Sequence, residues 1–258
     1  MEIRDWCIQI LGGQTLEDKL LDPLELTDIN PGPPLIWDIP SRPPNMEFKK
    51  HSRKEKLPAF HEHGTQDNRA VCLHRFAGHE LLAVEIMAYA LLAFPEAPPH
   101  FRKGLSNTLK EEQGHVRLYV ERLAQLGVRF GDLPLYKYFW AYTPFLQSPL
   151  KYISVMSLTF EMANLDFAPM YGQSFLRNGD IVSSQLMQQI LEDEIKHVSF
   201  GMHWLKKIKD PLKSEWDSWR ENTTEFLPLK RARGFRVFEQ NRQKAGIPED
   251  WIAAMKKS

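Results

Sequence analysis

A chain of 258 residues with 43% hydrophobic and 26% charged side chains is long enough to bury a sizeable core. Its 33 basic and 33 acidic residues cancel, so no global field draws it to nucleic acid or to an anionic membrane. Two cysteines, Cys7 and Cys72, exclude a disulfide framework and point to a reducing, cytoplasmic compartment; the start of the chain lacks the basic and apolar regions of a secretory signal.

Residues 2–11 read as a short helix ended by Gly12-Gly13, and Thr15-x-x-Asp18 opens a second one to about Leu21. Seven of the 18 prolines fall between Asn30 and Pro58, which predicts an extended arm along the domain surface, partly disordered or ordered. His61-Glu62-His63 reads either as a metal site or, more plainly, as a solvated turn, because His at i and i+2 diverge on a helix. Four long helices follow: Gln66 to Phe94, Phe101 to Leu126, Leu150 to about Phe167, and Asp180 to Lys209. Pro95-x-x-Pro98-Pro99 separates the first two, and Gly127 closes the second. An aromatic loop from Tyr136 to Phe145 holds Trp140, and Pro169 is expected to end or kink the third helix. Two more helices are expected at Ser214–Phe226 and Pro248–Lys256. No β-rich run interrupts this, so the class is all-α, a four-helix bundle with a Pro-rich N-terminal arm and extra C-terminal helices. The natural divisions are 1–65, 66–210 and 211–258. The apolar run from Phe76 to Phe94 carries His79, Glu80 and Glu85, which argues against a membrane span.

Each long helix has a glutamate in its apolar stripe: Glu80, Glu112, Glu161 and Glu194. Two of them open Glu-x-x-His, with His115 and His197 one turn further on the same face. Buried unpaired carboxylates are costly, so four that converge need protons or cations. Four Glu and two His make the donor set of a dinuclear carboxylate centre holding two Fe ions, or Fe and Mn. Glu80 precedes Glu112 by 32 residues and Glu161 precedes Glu194 by 33, intervals that suit antiparallel hairpins returning each pair to one level. Glu111 and Asp193 each precede a motif glutamate, and each is placed to hydrogen-bond the other motif's histidine. The pattern is not His-Glu-x-x-His, which argues against a zinc protease.

Several residues carry two readings. Glu85 lies about 140° around the helix from Glu80; it is either the ligand in place of Glu80, which the spacing favours, or a buried ion-pair partner. Asp166 is either an acid supporting the ligands or a helix cap before Pro169. Tyr119 is a redox-active tyrosine or core packing. His74, His79 and His203 read as structural. Lys230, Arg231, Arg233 and Arg236 form either an anionic-substrate grip or a solvated surface.

The segments TLEDKL (Thr15–Leu20), HELLAVEIM (His79–Met87), FPEAPPHFR (Phe94–Arg102), Gly131–Pro134, EMANLD (Glu161–Asp166) and Asp193–Trp204 resemble a bacterial family of ferritin-like proteins with no assigned function. More distantly the chain is similar to di-iron carboxylate oxygenases such as the tRNA-modifying hydroxylase. The resemblance implies a ferritin-like bundle with a dinuclear site and names no substrate. Three functions are expected to compete: an O2-dependent di-iron oxidase or oxygenase acting on a small organic molecule with an external electron donor; a ferroxidase or iron-handling protein; and a metal-stabilised binding module. No membrane partner is expected. Nucleic acid is not expected from the charge balance, with tRNA kept open by the distant likeness.

Overall fold

The computed structural model describes residues 1–49 and 56–258. His51 and Arg53 of the Pro-rich arm lie outside the described residues. Among the described residues the chain is all-helical, with ten α-helices and only two isolated β-bridges, Glu2–Thr27 and Phe48–Leu135. It divides into two compact units, Met1–Pro144 and Phe145–Ser258. Each unit contains one of the two Glu…Glu-x-x-His hairpins.

The first unit is built on the hairpin of α3 (Gln66–Ala93) and α4 (Pro99–Gln125). Thr65 caps α3 by accepting from the Asn68 amide, and Pro99 sits where a helix start tolerates a missing N–H. Gly127, at φ +77°, lets the chain leave α4 through the left-handed region. Helix α3 is buried on nearly every side from Glu80 to Ala93, so it is the centre of the unit rather than a one-faced amphipathic helix. It is long and apolar enough to cross a membrane by length and composition, but 89% of its most apolar window is buried within the fold. The short helices α1 (Ile3–Gly12) and α2 (Leu16–Lys19) pack on it. The Thr15–Asp18 capping box forms in both directions. The arm does more than skirt the surface: Arg42 and Met46 are buried, and Arg42 reaches Glu85 on α3.

In the second unit, α5 (Pro149–Val155) runs into a π-helical turn at Met156–Glu161 and on into α6 (Met162–Arg177), which pairs with α7 (Ile181–Ile208). Of the two outcomes expected at Pro169, ending the helix near Phe167 is corrected: α6 continues to Arg177 with Pro169 inside it. The proline deprives the Leu165 carbonyl of its helical donor. Asn241 supplies the replacement, Nδ2 to Leu165 O at 3.0 Å. The π turn is also supported by side chains. Ser154 O accepts from the Thr159 hydroxyl at 2.7 Å and from the Trp219 indole at 3.1 Å. At Gly201 on α7 a Cβ would stand 2.6 Å from the Ser157 Cβ, so glycine sets how closely α7 approaches that turn.

The C-terminal helices α8 (Glu215–Glu221), α9 (Glu239–Lys244) and α10 (Glu249–Lys257) close this unit. The expected helix at Ser214–Phe226 is thus shorter, and α9 was not expected. Trp219 and Trp251 stack at 4.7 Å between centroids, and Trp216 meets both edge-on.

Candidate metal centre

On α4, Glu112 and His115 are one turn apart and point to the same side; on α3, Glu80 faces them. Ligand atoms of Glu80, Glu112 and His115 all lie within 4.8 Å of one another, and all three residues are buried. His115 Nδ1 is 3.2 Å from Glu112 Oε2 and 3.8 Å from Glu80 Oε2. Burial, and then the neighbouring Glu112 charge, push the Glu80 carboxyl up to about 8. Two carboxylates and an imidazole held this close form the donor set that suits a transition-metal ion such as iron, manganese or zinc.

Glu85, the alternative ligand on α3, is occupied otherwise. It is fully buried between Lys19 Nζ at 3.3 Å and Arg42 Nη2 at 2.5 Å. Lys19 also donates to the carbonyl of Ile10 at 2.6 Å. Burial lowers the Lys19 pKa, and Glu85 opposes that fall. Two cations supplied by α2 and the arm thus stand against Glu85, whereas the ion-pairing side chain beside Glu80 is His115. Sequence reading missed Lys19 and Arg42 as partners, since each is a lone basic residue in a short or irregular segment.

In the second unit, Glu194 and His197 are buried on α7, with His197 Nδ1 3.9 Å from Glu194 Oε2. Glu161 is buried at the end of the π turn. Unlike the set in the first unit, Glu161, Glu194 and His197 do not gather three ligand atoms within 4.8 Å. Asn164, one turn after Glu161, donates from Nδ2 to Glu194 Oε1 at 2.8 Å. This residue was missed; its signal was the i+3 spacing from Glu161, which puts both on one face.

Other candidates fall in different places. Asp193 is half-buried and pairs with Lys196 at 2.7 Å, while Glu111 is exposed on α4. Asp166 is neither a ligand support nor a cap. It is fully buried in mid-helix, holds Arg242 at 2.6 Å, and accepts from the Gly234 and Phe238 amides at 2.9 and 2.8 Å. It therefore anchors the C-terminal segment. Tyr119 is buried with its ring edge-on to Phe76 at 6.2 Å. His61 is exposed and His63 buried, 3.6 Å from the Cys72 sulfur, so the two do not form a pair. His74 accepts at Nε2 from the Gly131 and Leu133 amides at 2.9 and 3.3 Å, while the exposed His203 meets the Trp204 ring edge-on. His79 stands against Tyr138 and Phe139. In the basic run, Arg231 lies over the Phe160 ring, Arg233 bonds Ser258 at the C-terminus, and Lys230 and Arg236 are exposed.

Compared with known proteins, the chain matches one family model, described as Protein of unknown function (DUF455), over residues 15–253. No curated protein matches at a significant level. No solved structure does so either.

Proposed function

The chain belongs to that family of unknown function, whose description assigns no chemistry, and from the ligand set itself we propose that it is a dinuclear metalloprotein that uses O2 to oxidise a small organic substrate. The observation that carries this reading is the buried trio Glu80, Glu112 and His115 with its ligand atoms within 4.8 Å. These three residues would hold one ion, and the matching Glu161, Glu194 and His197 of the second hairpin the other. The repeat of Glu…Glu-x-x-His at intervals of 32 and 33 supports pairing the hairpins in a four-helix, ferritin-like bundle.

Iron, or iron with manganese, would supply the redox equivalents for O2 chemistry when bound. The protein's own part is to hold the donors in place and keep water out. Val84, Met87 and Leu109 are fully buried on the same hairpin as the trio, and this apolar surrounding limits side reactions. Asn164 fixes one oxygen of Glu194 and so orients that carboxylate.

The test is metal content and O2 uptake together. After anaerobic ferrous loading and desalting, about two ions per chain are expected, with O2 consumed on exposure to air. Metal that stays bound in Glu112→Ala and Glu194→Ala variants would sink the reading. Two ions with no O2 uptake would leave a metal-stabilised binding module, and uptake coupled only to mineral growth would make it a ferroxidase.

A further inference from the structure

We propose that a second site, formed within the first unit at the junction of α3 and α4, binds an anion that carries an apolar body, such as an alkyl carboxylate or alkyl phosphate. The site is a cavity of about 510 Å³ between residues 24–31 and the first three turns of α4. That volume lies in the range of small-molecule pockets. The FPEAPPHFR stretch supplies Pro95, Ala97, Pro99, His100 and Arg102 to its lining, and none of these is a candidate metal ligand. This accounts for a sequence feature that the metal centre leaves unused.

The two walls differ in chemistry. One is apolar, with Ile3, Leu24, Leu26 and Pro31. The other is a face of α4 carrying Lys103, Asn107 and Lys110, spaced i, i+4 and i+7 so that they share one side of the helix.

The charges on the lining do not balance. Its acid, Asp28, is consumed by Arg102 in a two-pronged pair, Nε to Oδ2 and Nη2 to Oδ1, both at 2.7 Å. Arg102 spends its Nη1 group on the Leu91 and Phe94 carbonyls, at 2.6 and 3.0 Å, at the end of α3. This pair fastens segment 24–31 over the helix and builds the cavity, so it is not the anion's seat. Lys103 has no acidic partner among the described residues. Lys110 pairs at 2.8 Å with Asp22, which is half exposed, and donates to the Pro23 carbonyl, so one of its three ammonium hydrogens is left for a ligand and the exposed pair is weak enough to yield to one. The positive end of the α4 dipole adds to the same field. An anionic head between Lys103 and Lys110, with its apolar tail against Leu24 and Leu26, satisfies both walls at once.

Titration calorimetry and thermal unfolding of the full chain with octanoate, octyl phosphate and inorganic phosphate test this. The two alkyl anions should bind saturably at one per chain and raise the unfolding temperature with concentration. Inorganic phosphate should bind at least about tenfold more weakly, for want of an apolar body. Lys103→Glu, at an exposed position of α4, and Lys110→Gln, checked for a parent-like unfolding midpoint because Lys110 also holds Asp22 and the Pro23 carbonyl, should each weaken the alkyl anions at least about tenfold. Lys137→Glu, outside the lining, should change nothing. The proposal is overturned if no probe saturates, if both lysine variants bind as the parent does, or if inorganic phosphate binds as tightly as its alkyl ester. Metal content is unchanged in all these variants if the two sites are separate, so the outcome does not depend on the metal-centre reading.

Discussion

The Asn164 amide donates to Glu194 across the α6–α7 hairpin, Nδ2 to Oε1 at 2.8 Å. A neutral donor in that place orients the carboxylate without adding a competing charge. Asn164→Leu removes the donor, and Asn164→Asp sets a second carboxylate against the first. Both variants should bind Mn(II) or Fe(II) about ten- to a hundredfold more weakly, measured by competition with a chelating dye. Their metal-free unfolding midpoints should stay near the parent value in the Leu case, since the half-buried site leaves little cavity. An unchanged affinity in both would reduce Asn164 to a hairpin contact.

Glu80 and Glu85 offer the sharpest contrast. Glu85→Ala leaves Lys19 and Arg42 buried without their shared anion, so it should cost roughly 3–5 kcal/mol in denaturant unfolding. Folded Glu85→Ala protein should still take up its metal. Glu80→Gln should fold at least as well as the parent when metal-free, because it replaces a carboxyl whose ionisation is already opposed by burial and by Glu112, yet it should lose metal. Reversal of these two phenotypes would move the ligand one register along α3.

These two residues also show how far the sequence carries. Heptad-like stripes locate the four long helices because burial repeats every 3.6 residues, and they placed Glu80, Glu112 and Glu194 among buried positions. Helix α3 has no such stripe, because it is buried all round, so that a glutamate 140° away is as deep as the candidate ligand. What separates them is Lys19 and Arg42, and no local pattern announces a long-range ion pair. Pro169 failed for a related reason. The rule that proline ends a helix rests on the unpaired carbonyl, and Asn241, 76 residues from Leu165, removes that penalty. The π turn that carries Glu161 likewise depends on Trp219 of α8.

His74 should give the fold an acid limit. Its Nε2 accepts two backbone N–H groups from the Gly131–Leu133 turn, so protonating that nitrogen breaks both bonds. Burial first, then the Arg75 charge, lowers the His74 pKa from 6.5 to about 4. The unfolded chain therefore binds the proton more readily than the folded one. The stabilising contribution is complete above pH 6.5 and is lost as pH falls from there to about 4, an effect of at most about 3 kcal/mol. Denaturant midpoints measured across that window should fall more steeply in the parent than in His74→Gln. Parallel curves would show that the turn does not sense this proton.

The last prediction concerns Asp166 and the C-terminal segment it holds. Its two oxygens take the Gly234 and Phe238 amides and the Arg242 guanidinium, all without contact with water at the carboxylate itself. Arg242 in turn reaches the Ala232 carbonyl at 2.9 Å. Removing the acid leaves a buried cation and two buried amides unsatisfied, so Asp166→Ala should cost roughly 3–5 kcal/mol. Asp166→Asn keeps the shape but drops the charge, and should cost less. Arg242→Met removes the cation and leaves the carboxylate its two backbone donors, so it should be milder than Asp166→Ala. If Asp166 instead served the metal ligands, Asp166→Asn would weaken metal binding while leaving the fold intact. Measuring both unfolding and metal affinity for the three variants separates the cases: large stability losses with metal affinity retained in the folded fraction fit the anchor, and the opposite pattern overturns it.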